Sequence, residues 1–148
     1  MQNFKQFLKE NEYHDIIITD EDLVNGKLKK QYPDINGYFD CSNRGIITLK
    51  FAPKYVGGYF NCYNTKITSL KGIGKDYLKE VKGIIYLNDC HELKSNMLGL
   101  LLVKGLQRIY FDNNEIEEIF NRHLQGERDI LDAQEELITE GFKEYAKL

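Results

Sequence analysis

Residues 35–43 read INGYFDCSN, and residues 56–64, starting 21 positions later, read VGGYFNCYN. An echo this close has three readings of different chemistry: a duplicated enzyme loop, a pair of metal-binding thiols, or one turn of a repeating coil. The offsets around it choose between them. Phe39, Cys41, Ile46 and Leu49 are followed by Phe60, Cys62, Ile67 and Leu70, with the same steps of +2, +7 and +10 in both sets. A looser third set is Ile85, Leu87, Cys90 and Leu93, and a fourth is Leu106, Ile109, Phe111, Asn114, Ile116 and Ile119.

The fourth set spells L-x-x-I-x-F-x-x-N-x-I-x-x-I, which matches the leucine-rich-repeat pattern position for position. Its anchors Phe39, Phe60, Ile85 and Ile109 are 21, 25 and 24 residues apart. A fainter copy, Tyr13, Ile16, Ile18 and Leu23, places Ile16 another 23 residues upstream. Cys90 takes the Asn/Cys position of the pattern, whereas Arg44 and Thr65 occupy it in the first two copies, each preceded by an asparagine, Asn43 or Asn64. An asparagine ladder at the bend is therefore not expected in those two coils. A coil of about 20–25 residues cannot bury its own apolar side, so coils stack and share one core. Within each coil a short strand sends alternate residues inward and outward. Phe39/Cys41, Phe60/Cys62, Ile85/Leu87 and Ile109/Phe111 go inward, with cysteine as a small buried hydrophobe. The fold class predicted is a short right-handed α/β solenoid of four or five leucine-rich-repeat-like coils with a curved parallel sheet.

Bulk composition agrees with one domain over residues 1–148. The chain has 10 Tyr and 8 Phe, and its 20 Lys+Arg against 23 Asp+Glu leave a net charge of −3. It carries no basic run of the kind a phosphate backbone demands, so no nucleic-acid partner is expected. The longest apolar run, residues 97–103, is far short of the roughly 20 residues that span a bilayer, and the charged start MQNFKQFLKENEY lacks a signal-peptide core. Three cysteines without C-x-x-C spacing fit reduced thiols in a cytoplasm.

Beyond the generic repeat, GGYFNCYNTKITSLKGI (57–73) resembles units of small leucine-rich-repeat-like proteins encoded by large tailed bacteriophages. LGLLLVKGLQRIYFDNNEIEEI and the tail RDILDAQEELITEGFKEYAKL are similar to the ending of the same family. The resemblance covers roughly residues 30–148. It implies a phage product acting in the bacterial host cytoplasm and no known activity; accessory phage proteins of this kind often bind a host or defence protein.

An open solenoid needs lids. Residues 1–12, with Phe4, Phe7 and Leu8 on one stripe, predict an N-terminal cap helix, residues 13–120 the coils, and residues 121–148 a helical C-terminal cap. In that cap Ile130, Leu131, Gln134, Leu137 and Ile138 share a face, Gly141 stops the helix, and Phe142, Tyr145 and Leu148 fold back onto the last coil. Residues 94–105 read as a short convex-side helix that packs Met97, Leu98, Leu101 and Leu102 inward; the alternative for residues 97–103 is an exposed face that pairs chains. Gly57-Gly58 reads as a turn between coils.

Outward positions form columns on the concave sheet: Tyr38, Tyr59, Ile84 and Arg108; Asp40, Asn61, Tyr86 and Tyr110; Ser42, Tyr63, Asn88 and Asp112. Asn43, Asn64, Asp89 and Asn113 end the strands. Tyrosine gives stiff amphipathic contact area at low entropic cost, and Asn and Asp add polar contacts. The candidate partner-binding residues are Tyr38, Asp40, Tyr59, Asn61, Tyr63, Tyr86, Asn88, Arg108, Tyr110 and Asp112. A plainer reading has the tyrosines stabilising the sheet through cross-strand pairs. No enzyme, cofactor or metal site is expected. Cys90-His91 would point to opposite faces, His14, His91 and His123 lack ligand spacing, and Asp20-Glu21-Asp22 and Glu117-Glu118 read as solvated faces. The predicted function is a protein-binding module, a monomer or weak homo-oligomer. Its alternatives are self-assembly and a small-ligand (nucleotide) sink.

Overall fold

The computed structural model describes residues 14–148; the helix expected over residues 1–12, and Tyr13 of the faint first copy, lie outside the described residues. In chain order the strands are β1 (Ile16–Ile17), β2 (Leu23–Val24), β3 (Lys27–Leu28), β4 (Phe39–Asp40), β5 (Tyr55–Val56), β6 (Phe60–Asn61), β7 (Glu80–Tyr86) and β8 (Lys104–Tyr110). Helices α1 (Asn114–Gln125) and α2 (Ile130–Thr139) follow. β1, β4, β6, β7 and β8 lie side by side and parallel, with β5 against the start of β7. The register sets Ile16 beside Phe39, Phe39 beside Phe60, Phe60 beside Ile85 and Ile85 beside Ile109. The column predicted from spacing is present, and the faint copy at Ile16 belongs to it. The chain is a solenoid-like α/β stack of about four turns.

Each turn buries three sets of side chains. Phe39, Phe60, Ile85 and Ile109 form the first column, with the Phe39 and Phe60 rings stacked at 5.1 Å. Ile35, Val56 and Val81 form a second through the bridge of Ile35 to Val56 and the β5–β7 pairing. Ile46/Ile67 and Leu49/Leu70/Leu93 close the far side. Gly57-Gly58 joins β5 to β6 inside one coil; it is not a turn between coils. The first turn differs from the rest in carrying the β2–β3 hairpin, whose Asn25-Gly26 link has φ of 51° and 77°. Positive φ at both central residues is the two-residue turn that matches strand twist.

The ends of the echo have a local reason. Asn43, Asn64 and Asp89 lie in the left-handed region, at φ of 60°, 53° and 58°, where asparagine and aspartate are tolerated better than other side chains. The next residue in each coil carries a donor to a strand-end carbonyl. Arg44 Nε donates to Ile18 (3.1 Å), Thr65 Oγ1 to Cys62 (3.1 Å) and Cys90 Sγ to Cys62 (3.0 Å). Three residue types thus do one task, and Thr65 is buried while doing it.

The cleanest match to the repeat is where the repeat stops. Asn114 is exposed and opens α1, and the side chain of Asn113 accepts from Ile116 N. Ile116 and Ile119 are buried on a helix, so the helical end begins ahead of residue 121. α1 lies along the outer edge of β8, where a further strand would have bonded. Asn121 donates to the Ile109 carbonyl (3.0 Å) and accepts from its N–H (2.8 Å), Glu117 accepts from Phe111 N (2.7 Å), and Gln125 donates to the Gln107 carbonyl (2.6 Å). Arg128 donates to the Val103 and Leu106 carbonyls. Side chains thereby block an edge that would otherwise template pairing with another chain. Replacing Asn121 with Leu leaves two backbone groups of Ile109 unpaired and is expected to cost about 2 kcal/mol. A thermal melt should show Tm lower by roughly 4–8 °C; an unchanged Tm would mean that water serves that edge equally well.

Three packing expectations are corrected. Met97, Leu98, Leu100, Leu101 and Val103 are buried around a 3-10 turn, Leu98–Leu102, while Leu102 faces outward. Apart from Leu102 the stretch is core. On α2 the buried residues are Ala133 and Leu137, with Ile130 packed beside them; Leu131 and Ile138 are exposed. Phe142 and Tyr145 do fold back, Tyr145 edge-on to Phe111, but it is Ala146 and not Leu148 that is buried. The tail is tied down by its carbonyls, Glu144 accepting from Asn96 N and Tyr145 from Met97 N.

Candidate functional site

The strand pleat turns Phe39 and Phe60 inward, so their neighbours Tyr38 and Tyr59 face out on the same wall. Tyr38 and Tyr59 stack with centroids 4.7 Å and planes 7° apart. In the next coil the position level with Tyr59 is Ile84, and the row shifts by one column. Tyr59 meets Tyr86 edge-on at 5.8 Å, and Tyr86 stacks on Tyr110 at 5.3 Å. The Arg108 guanidinium lies 4.9 Å over the Tyr110 ring. Tyr38, Tyr59, Tyr86, Tyr110 and Arg108 are thus brought into one continuous row across four strands. The four rings are partly exposed.

The polar candidates behave differently. Asp40 Oδ1 accepts from Ser42 N (2.8 Å) and Asn61 Oδ1 accepts from Tyr63 N (3.0 Å), so each is turned back to hold its own bend. Asp112 Oδ2 accepts from Asp89 N (2.8 Å). Tyr63 stands exposed at the strand-end margin of the row; its hydroxyl bonds Asp89, which together with nearby Asp112 pushes the phenol pKa up. The side-chain oxygen of Asn88 is buried with no hydrogen-bond partner.

Two acidic residues join the wall that were not among the candidates. Asp15, level with Tyr38, accepts from Tyr38 N (3.0 Å), and Asp89 holds Tyr63. The register of Ile16 with Phe39 already implies the place of Asp15. Burial pushes the Tyr59 phenol up, and Tyr38, Asp40, Asp15 and Tyr86 act in the same direction. The wall therefore combines aromatic edges and hydroxyls with the carboxylates of Asp15, Asp40, Asp89 and Asp112. That is chemistry suited to cationic and amide groups.

Behind the wall, the three thiols are free and buried. Cys62 Sγ lies 3.3 Å from Thr65 Oγ1, which lies 3.4 Å from Cys90 Sγ. The Cys41 bond and burial hold the Cys62 thiol well above its ordinary pKa, and the Cys62 bond and burial do the same for Cys90. His91 is exposed and 3.9 Å from Asp89, so Cys90 and its neighbour look into different surroundings. His123 is instead part of the α1–α2 contact, where Arg122 and His123 both reach Glu136 at 2.7–2.8 Å and hold its carboxyl down at about 2. Among the described residues no group of three or more His, Cys, Asp or Glu is placed to hold a metal ion, and no helix is long and apolar enough to cross a membrane.

No protein-family model, no curated protein and no solved structure matches the chain.

Proposed function

We propose that the chain is a non-catalytic binding module that presents the tyrosine row to a protein partner. On this reading the coils are leucine-rich-repeat-like, α1 and α2 serve as the C-terminal cap, and the partner lies against the outward wall of the sheet. The unbroken run of Tyr38, Tyr59, Tyr86, Tyr110 and Arg108 is the observation that supports it. Aromatic and arginine side chains dominate interface hot spots, and ring-on-ring contacts pre-order these side chains, so less entropy is lost on binding. Four flanking carboxylates favour a partner whose contact surface is basic. The resemblance to small phage proteins points to a bacterial host or defence protein in the cytoplasm, blocked by occupancy of its surface.

The competing role for the same contacts is stabilisation of the sheet alone, and one double variant separates the two. The partner is captured from bacterial lysate, purified, and titrated with the wild type and with Tyr63→Ala/Tyr86→Ala. Loss of two hot-spot rings is expected to weaken binding by more than 100-fold, on the order of 3 kcal/mol or more. Tm should fall by only a few degrees, since each ring contact is worth about 0.5–1.5 kcal/mol. Moderate salt should weaken the wild-type complex. Full capture by the double variant would remove the wall as the interface.

A further inference from the structure

A second feature sits where the strands begin, away from the wall. β5, β7 and β8 start at Tyr55, Glu80 and Lys104, and beside them lies a groove of about 370 Å³ that these residues line together with Gly74, Lys75, Lys79 and Leu102. We infer that this groove binds a phosphate-bearing anion.

The groove is created by an insertion. Leu49 and Val56 are seven positions apart, but their counterparts Leu70 and Val81 are eleven apart, and the four extra residues fall in the loop that carries Gly74 and Lys75. In coil proteins, insertions of this kind collect on one face, often the binding face. Gly74, at φ 82°, lets this loop pack tightly on the Leu98–Leu102 turn, since a Cβ there would lie 2.7 Å from the Gly99 carbonyl oxygen and 2.7 Å from Leu102 Cβ. The volume lies in the range of small-molecule sites.

Charge supplies the chemistry. Among the described residues Lys75, Lys79 and Lys104 have no ion-pair partner, while Glu80, the carboxylate on the same groove, is held by Lys82 at 3.2 Å. Lys71 and Asp76 line the adjoining depression, which shares Lys75 and Leu102 with the groove. Three ammonium groups outside any ion pair, against the one carboxylate of Glu80, favour a multiply charged anion in this depression, and lysine binds phosphate as a point charge without demanding a fixed geometry. The exposed Leu102 and the Tyr55 ring add an apolar wall, on which the organic part of a phosphate ester would rest.

Isothermal titration of the full chain with tripolyphosphate and with ATP tests the assignment. Saturable binding of at least one is expected, weakened roughly tenfold or more in Lys75→Gln/Lys79→Gln/Lys104→Gln. Lys27→Gln/Lys29→Gln/Lys66→Gln, which removes the same charge elsewhere, should change affinity less than about twofold. ATP binding tighter than tripolyphosphate, with the advantage lost in Leu102→Ser, supports a nucleotide; equal affinities support the phosphate chain alone. The assignment is overturned if neither probe binds, if the two triple variants lose affinity equally, or if sulfate at matched ionic strength displaces the probe completely.

Discussion

Gly57→Ala should lower the melting temperature by roughly 6–12 °C, while Gly45→Ala should leave it unchanged or slightly raised. Both substitutions add one methyl group at a glycine of a repeating coil, and neither glycine has positive φ. Their surroundings differ. A Cβ on Gly57 would lie 2.7–2.8 Å from the O, C and Cα atoms of Asn36, which are backbone of the coil beneath. A Cβ on Gly45 would meet nothing within 4 Å. Asn36 cannot swing aside, because the coils are pinned on both sides of it. Ile35 N donates to Tyr55 O (3.0 Å), Gly57 N to Ile35 O (2.9 Å) and Gly58 N to Gly37 O (2.9 Å). Relief therefore requires the two coils to part locally, breaking ladder bonds, at a cost of about 3 kcal/mol or more. At Gly45 the added methyl only reduces the freedom of the unfolded chain, worth zero to about 1 kcal/mol of stability. Equal Tm values for the two variants would mean that the coils do not approach as closely at Gly57 as described. The result also accounts for the spelling of the echo: Asn-Gly in one coil and Gly-Gly in the next mark close backbone approach, a need that hydrophobic periodicity does not express.

What was legible in the sequence is what repeats. A contact made once per turn is written once per period, so the Ile16, Phe39, Phe60, Ile85, Ile109 column follows from spacing alone. Features made only once are hard to read that way. The match at residues 106–119 continues the period through Ile116 and Ile119, but Asn113 followed by Glu115 and Glu117 is also a helix start, with a capping side chain and acids near the positive end of the dipole. The local signal prevailed because β8 is the last strand and no following coil offered ladder partners. α2 failed differently. Its apolar residues encircle much of the helix, so its own pattern does not choose between the Ala133/Leu137 side and the Leu131/Ile138 side. At the wall, alternation identified the outward residues, whereas the ring geometry did not follow from it: Ile84 interrupts one tyrosine column and diverts the row to Tyr86.

Phe60→Ala and Tyr59→Ala test that alternation at adjacent residues. Phe60 is wholly buried, its ring parallel to that of Phe39 and its backbone level with Ile85. Truncation leaves a void in the centre of the stack, where the neighbouring coils are held by ladder bonds and cannot collapse into it. The expected loss is about 3–5 kcal/mol, or a Tm lower by roughly 10 °C or more. Tyr59 is one residue away on the opposite face. Its truncation removes the stack on Tyr38 and the edge contact with Tyr86, together about 1–2 kcal/mol, and opens no cavity because that side meets solvent. The inward residue should therefore cost at least twice as much as the outward one in denaturant melts, with m unchanged for Tyr59→Ala. On the proposed reading this ordering lets the wall serve as a binding surface: outward side chains can be exchanged for contact chemistry while inward ones hold the coil. If Tyr59→Ala proved as damaging as Phe60→Ala, the rings would be structural members of the sheet, and a loss of partner binding in Tyr63→Ala/Tyr86→Ala would report unfolding of the wall and not removal of its contacts.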